Sequence, residues 1–140
     1  MKKYLFLDDV RNPIDCYKFF RGDVSKIYLK SLEEWEIVRT YDEFIKYIQL
    51  NGVPDFISFD HDLADEHYSP EMHEGSENYN KLYGNFKEKT GYDCAKWLIE
   101  YCSLNGIPLP DYIIHSMNPV GRENIKYLFD SYKKYEEKLS

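Results

Sequence analysis

At 140 residues the chain suits one domain and is too short for two independent cores. Apolar residues make up 43% and charged residues 31%, a balance that excludes a disordered chain. Lys and Arg number 18 against 25 Asp and Glu, and the net charge of -7 excludes a duplex-DNA binder that works through a broad basic face. A small phosphate ligand held by a few basic side chains is still allowed.

The first element is the apolar run Tyr4-Leu5-Phe6-Leu7, read as a buried strand. Asp8 and Asp9 interrupt it too early for a signal peptide. Residues Ile14 to Glu34 have no clean period and admit either a short helix or an extra strand around Ile27-Tyr28-Leu29. Trp35 to Thr40 mixes apolar residues with Glu36 and Arg39, which suits an edge strand. A helix is expected from Thr40, where Glu43 three residues on completes a capping-box pattern. Its apolar face is Tyr41, Phe44, Ile45 and Ile48, and Asn51-Gly52 ends it.

Phe56-Ile57-Ser58-Phe59 reads as a second buried strand. The polar stretch at about 64–89, with Pro70, Gly75 and Gly84, is long for a connection in a small domain and suits a lid or mobile insert. The next helix starts near Thr90-Gly91, carries Ala95, Leu98, Ile99 and Cys102 at helical spacing, and stops at Asn105-Gly106. Tyr112-Ile113-Ile114 is a third buried strand. Asn118 then caps a last helix with Pro119 at its first position and Ile125, Leu128, Phe129 and Tyr132 as its buried stripe. Strands alternating with helices indicate an α/β sandwich around a mostly parallel sheet.

No apolar stretch approaches the ~20 residues needed to span a bilayer, so no membrane partner is expected. The three cysteines, Cys16, Cys94 and Cys102, form no CxxC pair. Cys94 and Cys102 lie eight residues apart, about 12 Å along a helix and too far for a disulfide. Reduced structural thiols and a cytoplasmic location are expected. The aromatic content of 17% is assigned to packing rather than base stacking, and Tyr127, Tyr132 and Tyr135 read as a partly exposed packing face.

Ligands of an open parallel sheet bind outside the carboxyl ends of its strands. The first strand ends in Asp8-Asp9 followed by Arg11, the next buried strand in Asp60-His61-Asp62, and the last in His115-Ser116 followed by Asn118 and Arg122. Aspartates gathered there need a counter-charge, either the nearby arginines or a divalent cation such as Mg²⁺, Ca²⁺ or Mn²⁺. His61 and His115 suit general acid–base work or ligand binding; an oriented structural histidine is the competing reading of each. His67 and His73 are assigned to solvent. The helix start at Asn118-Pro119, with Gly121 and Arg122, describes an anion site with a preference for phosphate.

Leu7-Asp8-Asp9, with Arg11 and Pro13, resembles the opening of two-component receiver domains. Asp60 stands where a receiver has its phospho-acceptor aspartate, and Ser116 stands near the receiver's switch Ser/Thr. The closer resemblance is to a divergent branch, the cyclic-phosphate processing receiver domain. It is carried in order by Leu7-Asp8-Asp9, Trp35 to Thr40, Ser58-Phe59-Asp60-His61-Asp62-Leu63, Thr90-Gly91-Tyr92-Asp93 and His115 to Arg122. It implies a three-layer, flavodoxin-like sandwich with four or five strands, truncated relative to a full receiver. No candidate is found for the fifth strand and its lysine, which argues against an ordinary phosphorelay role. The segments before Trp35 and between Leu63 and Thr90 are longer than usual in this branch.

The resemblance implies action on cyclic phosphates, such as 2′,3′-cyclic phosphates on nucleotides or RNA 3′ ends, as in RNA repair. On that reading Asp8, Asp9, Asp60 and Asp62 would hold a divalent metal, Mg²⁺ or Mn²⁺. His115, His61 and Asp60 would be catalytic, and Arg11, Ser116, Asn118 and Arg122 would bind phosphate. The alternative is a non-catalytic receiver-like module that binds metal or phosphate for regulation. A haloacid-dehalogenase-type phosphatase needs Asp-x-Asp after the first strand, and Val10 stands in place of the second acid.

Overall fold

Runs of apolar residues without alternation call for strands covered on both faces. In the computed structural model, which describes residues 3–19, 26–30, 34–60, 89–116 and 118–139, two of these runs fill the middle of the sheet. Strand β1 (Tyr4–Leu7) lies between β2 (Trp35–Val38) and β3 (Phe56–Phe59), and β4 (Asp111–Ile114) lies outside β3. All three pairings are parallel, with Phe6 beside Ile37 and Ser58, and Ser58 beside Ile113. Strand β2 is an edge, as its charges foretold. This is the receiver-like, flavodoxin-like α/β arrangement with four strands among the described residues. From β4 the described chain passes into a helix, and no further strand follows among the described residues.

Among the described residues, three helices cover one face. They are α3 (Tyr41–Asn51), α4 (Gly91–Asn105) and α5 (Pro119–Leu139). Leu5, Leu7, Val38, Ile57 and Phe59 meet Phe44, Ile48, Leu98, Ile99, Ile125 and Phe129 in the larger core. The opposite face carries α1 (Pro13–Phe19) and α2 (Lys26–Lys30). There Phe6, Cys16, Tyr28 and Trp35 form a second, smaller core.

The expected caps explain where the helices start. Thr40 Oγ1 accepts from the Glu43 N–H at 3.1 Å, while the Glu43 carboxylate reaches one residue further back, to the Arg39 N–H at 2.9 Å. Thr90 and Asp93 form the full reciprocal box. Gly106 ends α4 in the left-handed conformation, φ 65°, which a side chain would disfavour. Asn118 Oδ1 accepts from the Gly121 N–H at 3.0 Å.

The possible strand at Ile27-Tyr28-Leu29 is instead the one-turn helix α2. A strand would turn Ile27 and Leu29 to one side and Tyr28 to the other. In the helix, neighbours Ile27 and Tyr28 join the same core, and Leu29 is half exposed. The insert expected at 64–89 lies, except for Lys89, outside the described residues. Within them, no helix is long and apolar enough to cross a membrane. All three cysteines are buried free thiols, and burial pushes Cys16 up to about 12, which rules it out as a nucleophile at neutral pH.

Candidate functional site

Parallel pairing brings β1, β3 and β4 to an end at one level. The next residue on each continues the ladder: the Asp60 N–H donates to Leu7 O and the His115 N–H to Phe59 O, both at 2.9 Å. Asp8, Asp60 and His115 therefore stand side by side. Alternation puts them on the same face as Phe6, Ser58 and Ile113, toward the smaller core. One ligand atom from each lies within 4.8 Å of the others, and none of the three is more than 1% exposed.

Asp8 is held from several sides. Its Oδ1 accepts from the Val10 and Arg11 N–H groups at 2.9 and 2.8 Å. Its Oδ2 lies 3.0 Å from His115 Nε2 and 3.9 Å from Arg11 Nε. Burial pushes its carboxyl up, but the hydrogen bonds from His115, Arg11 and Val10 together outweigh burial and hold it at about 2. Asp8 is thus an anion at neutral pH. Burial pushes His115 down, so its imidazole is neutral there. A neutral imidazole beside a carboxylate must carry its proton on Nε2. Nδ1 then accepts from Ser58 Oγ at 2.6 Å, and Ser58 Oγ lies 2.7 Å from the Tyr28 hydroxyl. Phe6 stacks on the imidazole, 4.5 Å between centroids and 3° between planes. His115 thus has both nitrogens engaged and one face covered.

The other expected residues are placed less centrally. Asp9 follows Asp8 and is half-buried, and Arg11 flanks the cluster with a partly exposed side chain. Ser116 and Asn118 are buried, and their oxygens serve the chain itself: Ser116 Oγ accepts from the Asn118 N–H at 3.1 Å. The backbone donors expected to meet an anion at this helix start are therefore largely occupied, because the cap side chain reaches them first. Arg122 is exposed on the first turn of α5. His61 and Asp62 lie outside the described residues.

Three contributors went unread in the sequence. Ser58 and Tyr28 stand behind His115. Arg39, read as an edge-strand charge, folds back over the β1–α1 loop. Its Nη1 donates to the Asp8 and Arg11 carbonyls, and its Nη2 donates to Asn12 Oδ1 at 2.7 Å. The fork thus fixes the loop that carries Asp9 and Arg11. Arg39→Ala is expected to lower stability by about 1–3 kcal/mol in urea unfolding, and Arg39→Lys to recover little, since an ammonium lacks the planar fork. Full recovery by lysine would show that charge alone matters.

Two carboxylates and an imidazole suit a divalent cation of the Mn²⁺ or Mg²⁺ type, the carboxylates favouring hard ions and the imidazole Mn²⁺ or Zn²⁺. Their spacing and shared burial fit such an ion as a three-residue set. A family model described as "Cyclic-phosphate processing Receiver domain" matches residues 3–131. No curated protein and no solved structure matches the chain.

Proposed function

The chain belongs to the cyclic-phosphate processing receiver domain family, and on that premise we propose that its strand-end cluster is the centre of a phosphoesterase acting on cyclic phosphates. The observation that carries this reading is the buried Asp8–Asp60–His115 group at the edge where parallel sheets bind ligands. The substrates are 2′,3′-cyclic nucleotides or RNA 3′ ends of that kind, since an acidic domain with few arginines suits one phosphate rather than a long polyanion.

Asp8, Asp60 and His115 would hold a divalent ion, with Asp9 at the rim. Such an ion supplies Lewis-acid polarisation of a phosphoryl oxygen. Asp8 contributes a charge kept ionised by its hydrogen bonds. Arg11, beside Asp8, and Arg122 stabilise the equatorial oxygens as water attacks in line with the leaving ribose oxygen. His115, whose Nδ1 is taken by Ser58 and whose Nε2 would be taken by the ion in place of Asp8, passes no proton to the substrate. His61, which follows Asp60 in the chain, is left as the proton donor to the leaving oxygen.

Purified protein incubated with 2′,3′-cyclic nucleotides and cyclic-ended RNA, with Mg²⁺ or Mn²⁺, is expected to release the ring-opened monoester. Asp60→Asn is expected to lower the rate at least 100-fold, about 2.7 kcal/mol of barrier. No turnover of any such substrate sinks the reading. The near-complete burial of the cluster favours a second one, a non-catalytic metal- or phosphate-binding regulatory module. Stable labelling of Asp60 by a small phosphodonor, without hydrolysis of cyclic phosphates, would select it.

A further inference from the structure

Among the described residues His115 is the only histidine, and its ring is held on one edge and one face. On the edge, Ser58 Oγ is 2.6 Å from Nδ1, and the Tyr28 hydroxyl is 2.7 Å from Ser58 Oγ. On the face, Phe6 stacks at 4.5 Å and nearly parallel. Nε2 is thereby aimed at the carboxylates, 3.0 Å from Asp8 Oδ2. Phe6, Tyr28, Ser58 and His115 are all 0% exposed. In such surroundings phenylalanine and alanine would avoid the desolvation cost of two hydroxyls. The hydroxyls therefore do more than fill space, and fixing the imidazole is what their geometry achieves.

We propose that Tyr28, Ser58 and Phe6 are positioning residues that lock the His115 imidazole as a fixed nitrogen ligand, so that the strand-end cluster takes a first-row transition ion of the Mn²⁺ to Zn²⁺ series in preference to Mg²⁺. The inference rests on that cluster as a cation site, and it is independent of which ester is cleaved. A histidine free to swing could turn away and leave Mg²⁺ an all-oxygen site. His115 cannot, because Ser58 holds one edge of its ring and Phe6 covers one face. An ion taken up by Asp8 and Asp60 therefore meets a nitrogen as well.

Two properties of Mg²⁺ set it against such a site. It is suited by oxygen ligands, whereas imidazole suits transition ions, with Mn²⁺ at the weak end of their series. It also gives up water reluctantly and usually keeps several water ligands. Asp8, Asp60 and His115 are at most 1% exposed, which leaves little room for that shell. Groups behind a ligating histidine fix its orientation, and their loss lowers metal affinity by about 10–100-fold. Mg²⁺ held by the carboxylates alone would not register that loss.

The test uses the full chain loaded with Mn²⁺. Pulsed electron paramagnetic resonance is expected to show a nitrogen coupling from a directly bound imidazole. The coupling is expected to persist when His61, His67 and His73 are replaced together by alanine, which leaves His115 as the only histidine of the four. Mg²⁺ is expected to displace the Mn²⁺ only at about 100-fold excess or more. Tyr28→Phe is expected to bind Mn²⁺ about tenfold more weakly, and Ser58→Ala at least tenfold, with no loss for Mg²⁺. Four results would each overturn the inference: no nitrogen coupling at bound Mn²⁺, loss of the coupling in the triple histidine variant, displacement by Mg²⁺ at equal concentration, or equal effects of Tyr28→Phe on the two ions. The coupling and the displacement need no change at the lock, so they decide even if Tyr28→Phe fails to fold. Nitrogen-bound Mn²⁺ without cyclic-phosphate turnover would leave the inference standing and remove the phosphoesterase reading. Turnover with Mn²⁺ bound through oxygen alone would do the reverse.

Discussion

Replacing His115 by alanine is expected to destabilise the protein by about 3–5 kcal/mol, the range for truncating a large buried ring, here one that also donates to a buried carboxylate. Three neighbours lose their contact together. Asp8 keeps its charge at 0% exposure without its Nε2–H donor, Ser58 loses its acceptor in the same core, and Phe6 loses a stacked ring. The backbone N–H groups of Val10 and Arg11 remain, so Asp8 is weakened rather than abandoned. With a urea slope of roughly 2 kcal/mol per molar, the unfolding midpoint should fall by about 2 M. His115→Phe separates the causes. It refills the volume beside Phe6 but offers no donor to Asp8, so it should recover only the packing share, about 1 kcal/mol. Adding Asp8→Asn to His115→Phe should then cost less than Asp8→Asn alone, because the buried charge no longer has a partner to lose. If His115→Ala changes stability by less than 1 kcal/mol, the Asp8–His115 bond does not hold the site together.

The parts of this site that could be read in the sequence are those that local chemistry places. Apolar runs without alternation located β1, β3 and β4, and a parallel sheet carries the residues after such runs to one edge. Asp8, Asp60 and His115 were legible for that reason. Thr40 and Asn118 were legible as caps because a hydroxyl or amide at a helix start has one dominant use, and Thr90 was legible only as the neighbourhood of a helix start. The choice between Asp8 and Asp9 was not. It depends on which side of β1 faces the smaller core, and with both faces apolar the sequence carries no polarity to tell them apart. Ser58 was hidden inside an apolar run, and its place beside His115 depends on the register of β3 against β4. Tyr28 lies in a five-residue helix, too short to show a period. The anion site expected at the start of α5 required counting how many N–H groups the Asn118 and Ser116 oxygens already take. Arg39 needed the path of the β1–α1 loop, which no spacing rule supplies.

Acid is expected to weaken the fold in two stages, and the sign is the same for both groups. His115 is pushed down by burial, so the unfolded chain takes up its proton first, and stability falls as pH drops below about 6.5. Asp8 sits at about 2 when folded, against 3.8 for a free side chain, so the stability it contributes is present above pH 4 and is lost as pH falls toward 2. That difference corresponds to about 2 kcal/mol. Asp8→Asn should therefore be less stable than wild type at pH 7, and the gap should close between pH 5 and pH 2. Urea unfolding of both proteins at several pH values measures it. The asparagine variant also keeps the volume and can still accept from Val10 and Arg11, which confines the comparison to the ionisable group. Parallel stability curves for the two proteins from pH 7 to pH 2 would mean that the Asp8 carboxylate is no better held in the fold than in the unfolded chain. Its hydrogen bonds from His115, Arg11 and Val10 would then do no more than offset the cost of burying it.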